Sequence, residues 1–103
     1  MNFYLTQAFV KKIKMKTFKD IEFQTISDEF MNGKTGRINF ENGWGASVVS
    51  HTYSYGGPAG LYELAVLDSE GELHYENPVA QGDVRGHLTE DEVTDLLIEI
   101  QNL

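Results

Sequence analysis

The 103-residue chain predicts an α+β fold, an antiparallel β-sheet of four to five strands with a C-terminal amphipathic helix packed on one face. Three observations predict it. Apolar residues from Ile38 to Val48 alternate around a glycine turn, Leu61 to Leu67 is nearly continuous in apolar character, and residues 90–101 carry one apolar stripe behind a capping pair. The strands precede the helix with no βαβ alternation, which argues against a doubly wound parallel sheet.

Residues 1–16 read as an N-terminal basic extension and residues 17–103 as a single α+β domain, of a length that buries roughly two-thirds of its unfolded surface around one core. Met1 to Val10 is fairly apolar, but Asn2, Thr6 and Gln7 interrupt it and its lysines follow it, the wrong order for a secretory leader. Met15-Lys16-Thr17-Phe18 reads as a second possible start. No segment has the length of apolar chain that spans a membrane, and the absence of cysteine removes disulfides and thiolate chemistry. A soluble, cytoplasmic protein is expected.

Along the domain, alternation around Ile21-Glu22-Phe23-Gln24 predicts a short strand, and Ser27 is placed to cap a helical turn through Asp28–Met31 that Asn32-Gly33 stops. In the next hairpin, a two-residue Asn42-Gly43 turn would put the apolar sets of the two strands on opposite faces. A three-residue loop, Glu41-Asn42-Gly43, pairs Phe40 with Trp44 and Ile38 with Ala46 and puts Gly43 at the left-handed bulge position. Side-chain parity therefore predicts the bulged hairpin. Leu61–Leu67 reads as a central strand covered on both faces, Asp68-Ser69-Glu70-Gly71 as a turn, and Glu72–Glu76 as the returning strand, ended by Asn77-Pro78. Residues 78–88 read as an irregular connection with a turn at Gly82-Asp83. Thr89 and Glu92 form the capping box of the final helix, whose stripe is Val93, Leu96, Leu97 and Ile100.

Charge is divided unevenly. Lys11, Lys12, Lys14, Lys16 and Lys19 hold five of the eight basic residues, whereas all sixteen acids lie from Asp20 onward and face only Lys34, Arg37 and Arg85, a net of −13 for residues 20–103. Such a body repels polyphosphate, so direct nucleic-acid binding by it is not expected, and the lysine run lacks the arginines and stacking aromatics of a nucleic-acid footprint.

Chemistry-bearing residues cluster in two glycine-rich loops, Asn42–Gly45 and His51–Gly60. His51 beside Ser50 and Ser54 lacks the orienting carboxylate and the nucleophile-elbow sequence of an acyl-transfer site. His51, His74 and His87 match no compact metal motif, and the acidic pairs lack a calcium-loop pattern, so no metal and no cofactor is expected. Gly56-Gly57-Pro58-Ala59-Gly60 leads into a strand and carries no basic residue, unlike a phosphate-cradling loop. Its free N–H groups, with Tyr53 or Tyr55 stacking alongside, could instead meet a neutral or weakly polar ligand. Tyr53 and Tyr55 flank a loop where burial is hard to arrange, and exposed tyrosines on an adaptable loop are typical anchors for a protein partner. The candidate binding residues are His51, Tyr53, Tyr55, Gly56, Gly57 and Trp44, with no catalytic residue.

The segments Asn42-Gly43-Trp44-Gly45-Ala46-Ser47-Val48-Val49, Ser50-His51, Ser54-Tyr55-Gly56, Gly60–Leu67 and Leu88-Thr89-Glu90-Asp91-Glu92-Val93, in that order, resemble small hypothetical proteins encoded by tailed bacteriophages, over about residues 36–102. The resemblance implies a phage or prophage origin and the host cytoplasm, and carries over no activity. The expected function is that of a non-enzymatic phage accessory protein that binds, and by binding can inhibit, a host or phage protein through its acidic surface and the Gly/Tyr loop. A small-ligand-binding module using residues 51–60 is the alternative. The doubly apolar Leu61–Leu67 strand, with one long helix to cover it, leads to the expectation of a homodimer, with Phe3–Ile13 as a competing cover from the same chain.

Overall fold

The computed structural model describes residues 15–103, so the N-terminal extension up to Lys14, and with it the proposed cover Phe3–Ile13, lies outside the described residues. Strands β1 (Gln24–Ser27), β2 (Asn32–Asn39), β3 (Gly45–His51), β4 (Tyr62–Leu67) and β5 (Arg85–Leu88) form one sheet, and helix α1 (Glu90–Gln101) follows them. Sheet order equals chain order, and each strand runs antiparallel to its neighbour. The fold is the expected α+β, with five strands and the helix packed against them.

Parity set the central hairpin correctly. Ile38 pairs with Ala46, the Phe40 N–H donates to the Trp44 carbonyl at 2.8 Å, and Gly43 takes φ +94°. The chosen register puts Ile38, Phe40, Ala46 and Val48 on one face, joined by Tyr62, Leu64 and Val66 of β4. Against that face α1 lays Val93, Leu96, Leu97 and Ile100, all buried. Each such fully buried aliphatic side chain contributes roughly 1.5–3 kcal/mol of transfer free energy. Both ends of α1 are tied: the Glu92 N–H donates to Thr89 Oγ1 at 3.2 Å and the Thr89 N–H to Glu92 Oε1 at 3.0 Å. At the other end the Asn42 amide donates to the Ile100 carbonyl at 2.9 Å. The hairpin turn thus caps the helix.

The segment before β1 is a strap beside the helix. The Phe18 N–H donates to Thr94 Oγ1 at 3.0 Å and the Lys16 N–H to Gln101 Oε1 at 2.9 Å. Phe18 and Phe23 then meet Tyr62, at centroid distances of 5.0 and 5.9 Å, and extend the core over β2.

Three expectations are corrected. The first strand begins at Gln24, not Ile21, because Phe18–Asp20 forms a 3-10 turn that delivers Ile21 to the core. Asp28–Met31 is a hairpin loop rather than a helical turn: Asp28 Oδ1 accepts from the N–H groups of Phe30 and Met31, at 2.8 and 2.7 Å. An aspartate before two free N–H groups makes the same bonds in an Asx turn as in a helix start. Finally, Glu72–Glu76 contributes only the bridge Leu67 to Leu73, and the fifth strand is Arg85–Leu88, inside the expected irregular stretch. Asn77 organises the chain between them, its Oδ1 accepting from Val79 and Ala80 and its amide donating to the His74 carbonyl.

Candidate interaction site

Antiparallel order places the β1–β2 loop, the β3–β4 loop and the start of α1 at one end of the sheet. Thr52 locks the first two together: its N–H donates to the Asn32 carbonyl at 3.1 Å and its Oγ1 accepts from the Asn32 N–H at 3.0 Å. Three large aromatic side chains stand out of this end, Phe30 at 73% exposure, Tyr53 at 70% and Tyr55 at 59%. Acidic residues lie at the same end: Asp28 and Glu29 beside Phe30 in the β1–β2 loop, and Glu90, Asp91 and Glu92 in the first turn of α1.

The backbone beneath the tyrosines is fixed. Buried Ser54 receives the His51 N–H at 2.9 Å and donates its hydroxyl to the His51 carbonyl at 3.1 Å, so it clasps the base of the loop. The Tyr53 N–H donates to His51 Nδ1 at 3.1 Å, the geometry of the neutral imidazole tautomer that carries its proton on Nε2. The Tyr55 N–H donates to Glu63 Oε1 at 3.0 Å, and the Tyr55 carbonyl accepts from the His87 N–H at 3.0 Å. A Cβ on Gly57 would collide with the His51 carbonyl oxygen, so only glycine admits this closeness. The result is a rigid loop with mobile-looking composition, presenting two aromatic rings on a pinned backbone.

Opposite the loop, β5 carries a bulge. Tyr62 pairs with Leu88 but Leu64 with Arg85, so Gly86 and His87 together oppose Glu63. His87 adopts φ +55°, unusual for a residue with a side chain, and its backbone abuts Gly56.

The expected site residues divide between two places. His51, Tyr53, Tyr55, Gly56 and Gly57 come together at the loop end. Trp44 does not join them: it lies at the far end of β3, about 20 Å of extended strand away, half-buried against the core and edge-on to His74 with centroids 5.0 Å apart. Of the loop N–H groups proposed to meet a ligand, those of Gly57, Ala59, Gly60 and Leu61 donate to loop carbonyls. Ser50 likewise donates to the Leu61 carbonyl at 2.8 Å, so neither candidate serine is partnered by the His51 imidazole. Among the described residues no three His, Cys, Asp or Glu side chains are grouped to hold a metal ion.

Two participants escaped the sequence reading. Phe30 was hidden in the supposed helical turn, although an aspartate that accepts from the N–H groups after it is equally at home in an Asx turn. Lys34 heads a cross-strand row, Thr25, Lys34 and Ser50, and its amine lies 4.8 and 5.2 Å from the ring centroids of Phe23 and Tyr62. Thr25, Lys34 and Ser50, with His51, Thr52 and Pro58, line an open groove of about 550 Å³ that holds a lysine, a histidine and no carboxylate.

No family model, no curated protein and no solved structure matches the chain. Among the described residues no helix is long and apolar enough to cross a membrane.

Proposed function

We propose that the chain is a non-enzymatic accessory protein, of phage origin, that binds a host or phage protein through the loop end of its sheet. The observation that carries this reading is the convergence of Phe30, Tyr53 and Tyr55, each more than half exposed, on one rigidly held end of an acidic domain. Large aromatics on a pinned backbone lose little conformational entropy on binding and supply most of the energy of typical interfaces. The acidic surroundings steer a basic partner surface, including one that otherwise holds nucleic acid. The test is capture of a partner from bacterial lysate by the wild-type protein and by a Tyr53→Ala/Tyr55→Ala variant. A partner held by both equally well overturns the loop as the site.

A two-fold dimer belongs to the same proposal, though β4 no longer demands it: Ala65 and Leu67, on the face away from α1, are 8% and 1% exposed in the single chain. Its support is the rest of that face, where Ile26 and Val49 are half-buried and Leu73 is half exposed. Sedimentation over a range of concentrations reads it directly.

The groove favours the second reading, a small-ligand module. Its volume lies within the usual range of ligand sites. A ligand taken there would be anionic or polar, meeting Lys34, and its binding would be lost in Lys34→Ala.

A further inference from the structure

We infer that the free edge of β1 is a docking site for an extended peptide segment of a partner, a segment with a neutral, β-branched centre and basic residues at both ends. The inference concerns the sheet edge and does not depend on Tyr53 and Tyr55.

The ladder shows which backbone groups are free. Asn32 spends its N–H and C=O on Thr52, across β3. It therefore has none for Ser27, its partner on the β1 side. In an antiparallel pair the hydrogen-bonded and non-bonded positions alternate, so Gly33 and Ile26 exchange bonds while Ser27 and Thr25 direct their N–H and C=O groups away from β2. Among the described residues β1 is the first strand of the sheet order, and no strand lies beyond it. A partner strand would meet two complete donor–acceptor pairs in register.

The two edges of the sheet differ in how they are protected. β5 is interrupted by its bulge, carries Arg85 and turns left-handed at His87. Bulges and charges of this kind keep foreign strands off an edge. β1 is paired to β2 without a break over four residues, and its sequence, Gln24-Thr25-Ile26-Ser27, has no proline, no charge and a β-branched centre. Such an edge is open to strand addition, in which backbone bonds supply affinity and flanking groups supply choice.

Charge chooses the occupant. Asp20 and Glu22 precede β1, Asp28 and Glu29 follow it, and all four are exposed. Lysines or arginines just outside the paired centre of the incoming strand would face carboxylates at either end. A second copy of β1 would bring the same carboxylates against one another, within residues 20–103, whose net charge is −13. The edge therefore discriminates against its own kind.

The test is a titration of the full chain with a short peptide of alternating valine and threonine that carries lysines at both ends, followed by backbone amide NMR and hydrogen exchange. A second peptide has glutamates in place of the lysines. The expected result is slowed exchange and shifted resonances at Thr25 and Ser27 with the lysine peptide, much less with the glutamate peptide. Thr25→Pro removes one outward N–H and no ladder bond, and is expected to weaken the lysine peptide roughly two- to tenfold. Should that variant lose its fold, the exchange pattern of the wild type decides alone. Equal binding of both peptides overturns the charge selection. No binding, or shifts confined to residues outside β1, overturns the site, and concentration-dependent protection of Thr25 and Ser27 without peptide would give the edge to a second copy.

Discussion

Gly57 and Gly60 lie three residues apart in the same loop, yet their surroundings set different costs for a side chain. A Cβ at Gly57 strikes the His51 backbone, whereas at Gly60 it meets nothing within 4 Å and suffers only from φ +80°. Gly60→Ala is expected to cost about 1–2 kcal/mol through its left-handed backbone. Gly57→Ala must displace the chain and is expected to cost more, with altered resonances at Ser54 and Tyr55; urea unfolding of the two variants gives the comparison. The exposed rings are a contrasting case. Tyr53→Ala/Tyr55→Ala is expected to change stability by no more than about 0.5 kcal/mol per site while weakening partner binding by about 1–3 kcal/mol. An unfolded double variant would place these rings in the core and remove the interaction reading. Exposure of the two tyrosines was legible in the sequence, since the glycines beside them leave little to bury a ring against. Phe30 was not, because Asp28 bonds its following N–H groups identically in a turn and at a helix start.

Elements were legible where a rule of geometry had one solution. The β2–β3 hairpin followed from parity alone, because any shift by one residue would turn Ala46 and Val48 out to solvent. Helix α1 followed from its cap and stripe. Thr89→Ala is expected to cost about 1 kcal/mol, read from chemical denaturation. The same cap gives a pH dependence. The Thr89 N–H, and after it the Thr89 side chain, hold the exposed Glu92 carboxyl below its ordinary value. A carboxylate favoured in the folded state stabilises it above the unfolded pKa, and that contribution fades as the pH falls from there through the folded value. Stability measured from neutral pH down through the glutamate range should therefore fall less steeply in Glu92→Gln than in wild type. β5 was illegible for a physical reason: its strand is four residues long, its bulge breaks the alternation, and its left-handed residue is a histidine where sequence reasoning looks for glycine. Glu72–Glu76, with better alternation, lost its place when Asn77 drew the chain away after a single bridge.

At the scale of the molecule, the core joins elements from both ends of the described chain, and its centre is the contact of α1 with β3 and β4. Leu97→Ala, at a side chain with no exposure, is expected to cost about 2–5 kcal/mol and to lower the thermal midpoint accordingly. The acidic body, legible from composition, leaves Lys34, Arg37 and Arg85 as its basic residues beyond Asp20, and Lys34 lies in the groove. What composition could not show is that the aromatics and the first turn of the helix share one end, because that depends on strand direction and so on the count of strands. Sequential strand order has a further consequence, for the time course of folding. Every strand pairs with the one just before it, so the sheet can zip strand by strand, with little loop-closure entropy until the long connection over residues 68–84 that precedes β5. The helix that covers its apolar face comes after all five strands in the chain, so during synthesis the meander emerges with Ala46, Val48, Leu64 and Val66 still facing water. Folding that runs from the first strand onward would pass through an interval in which the greasiest surface is fully made and not yet shut. In that interval, and not in the finished state, the chain is most open to capture by a chaperone or by another unfinished copy.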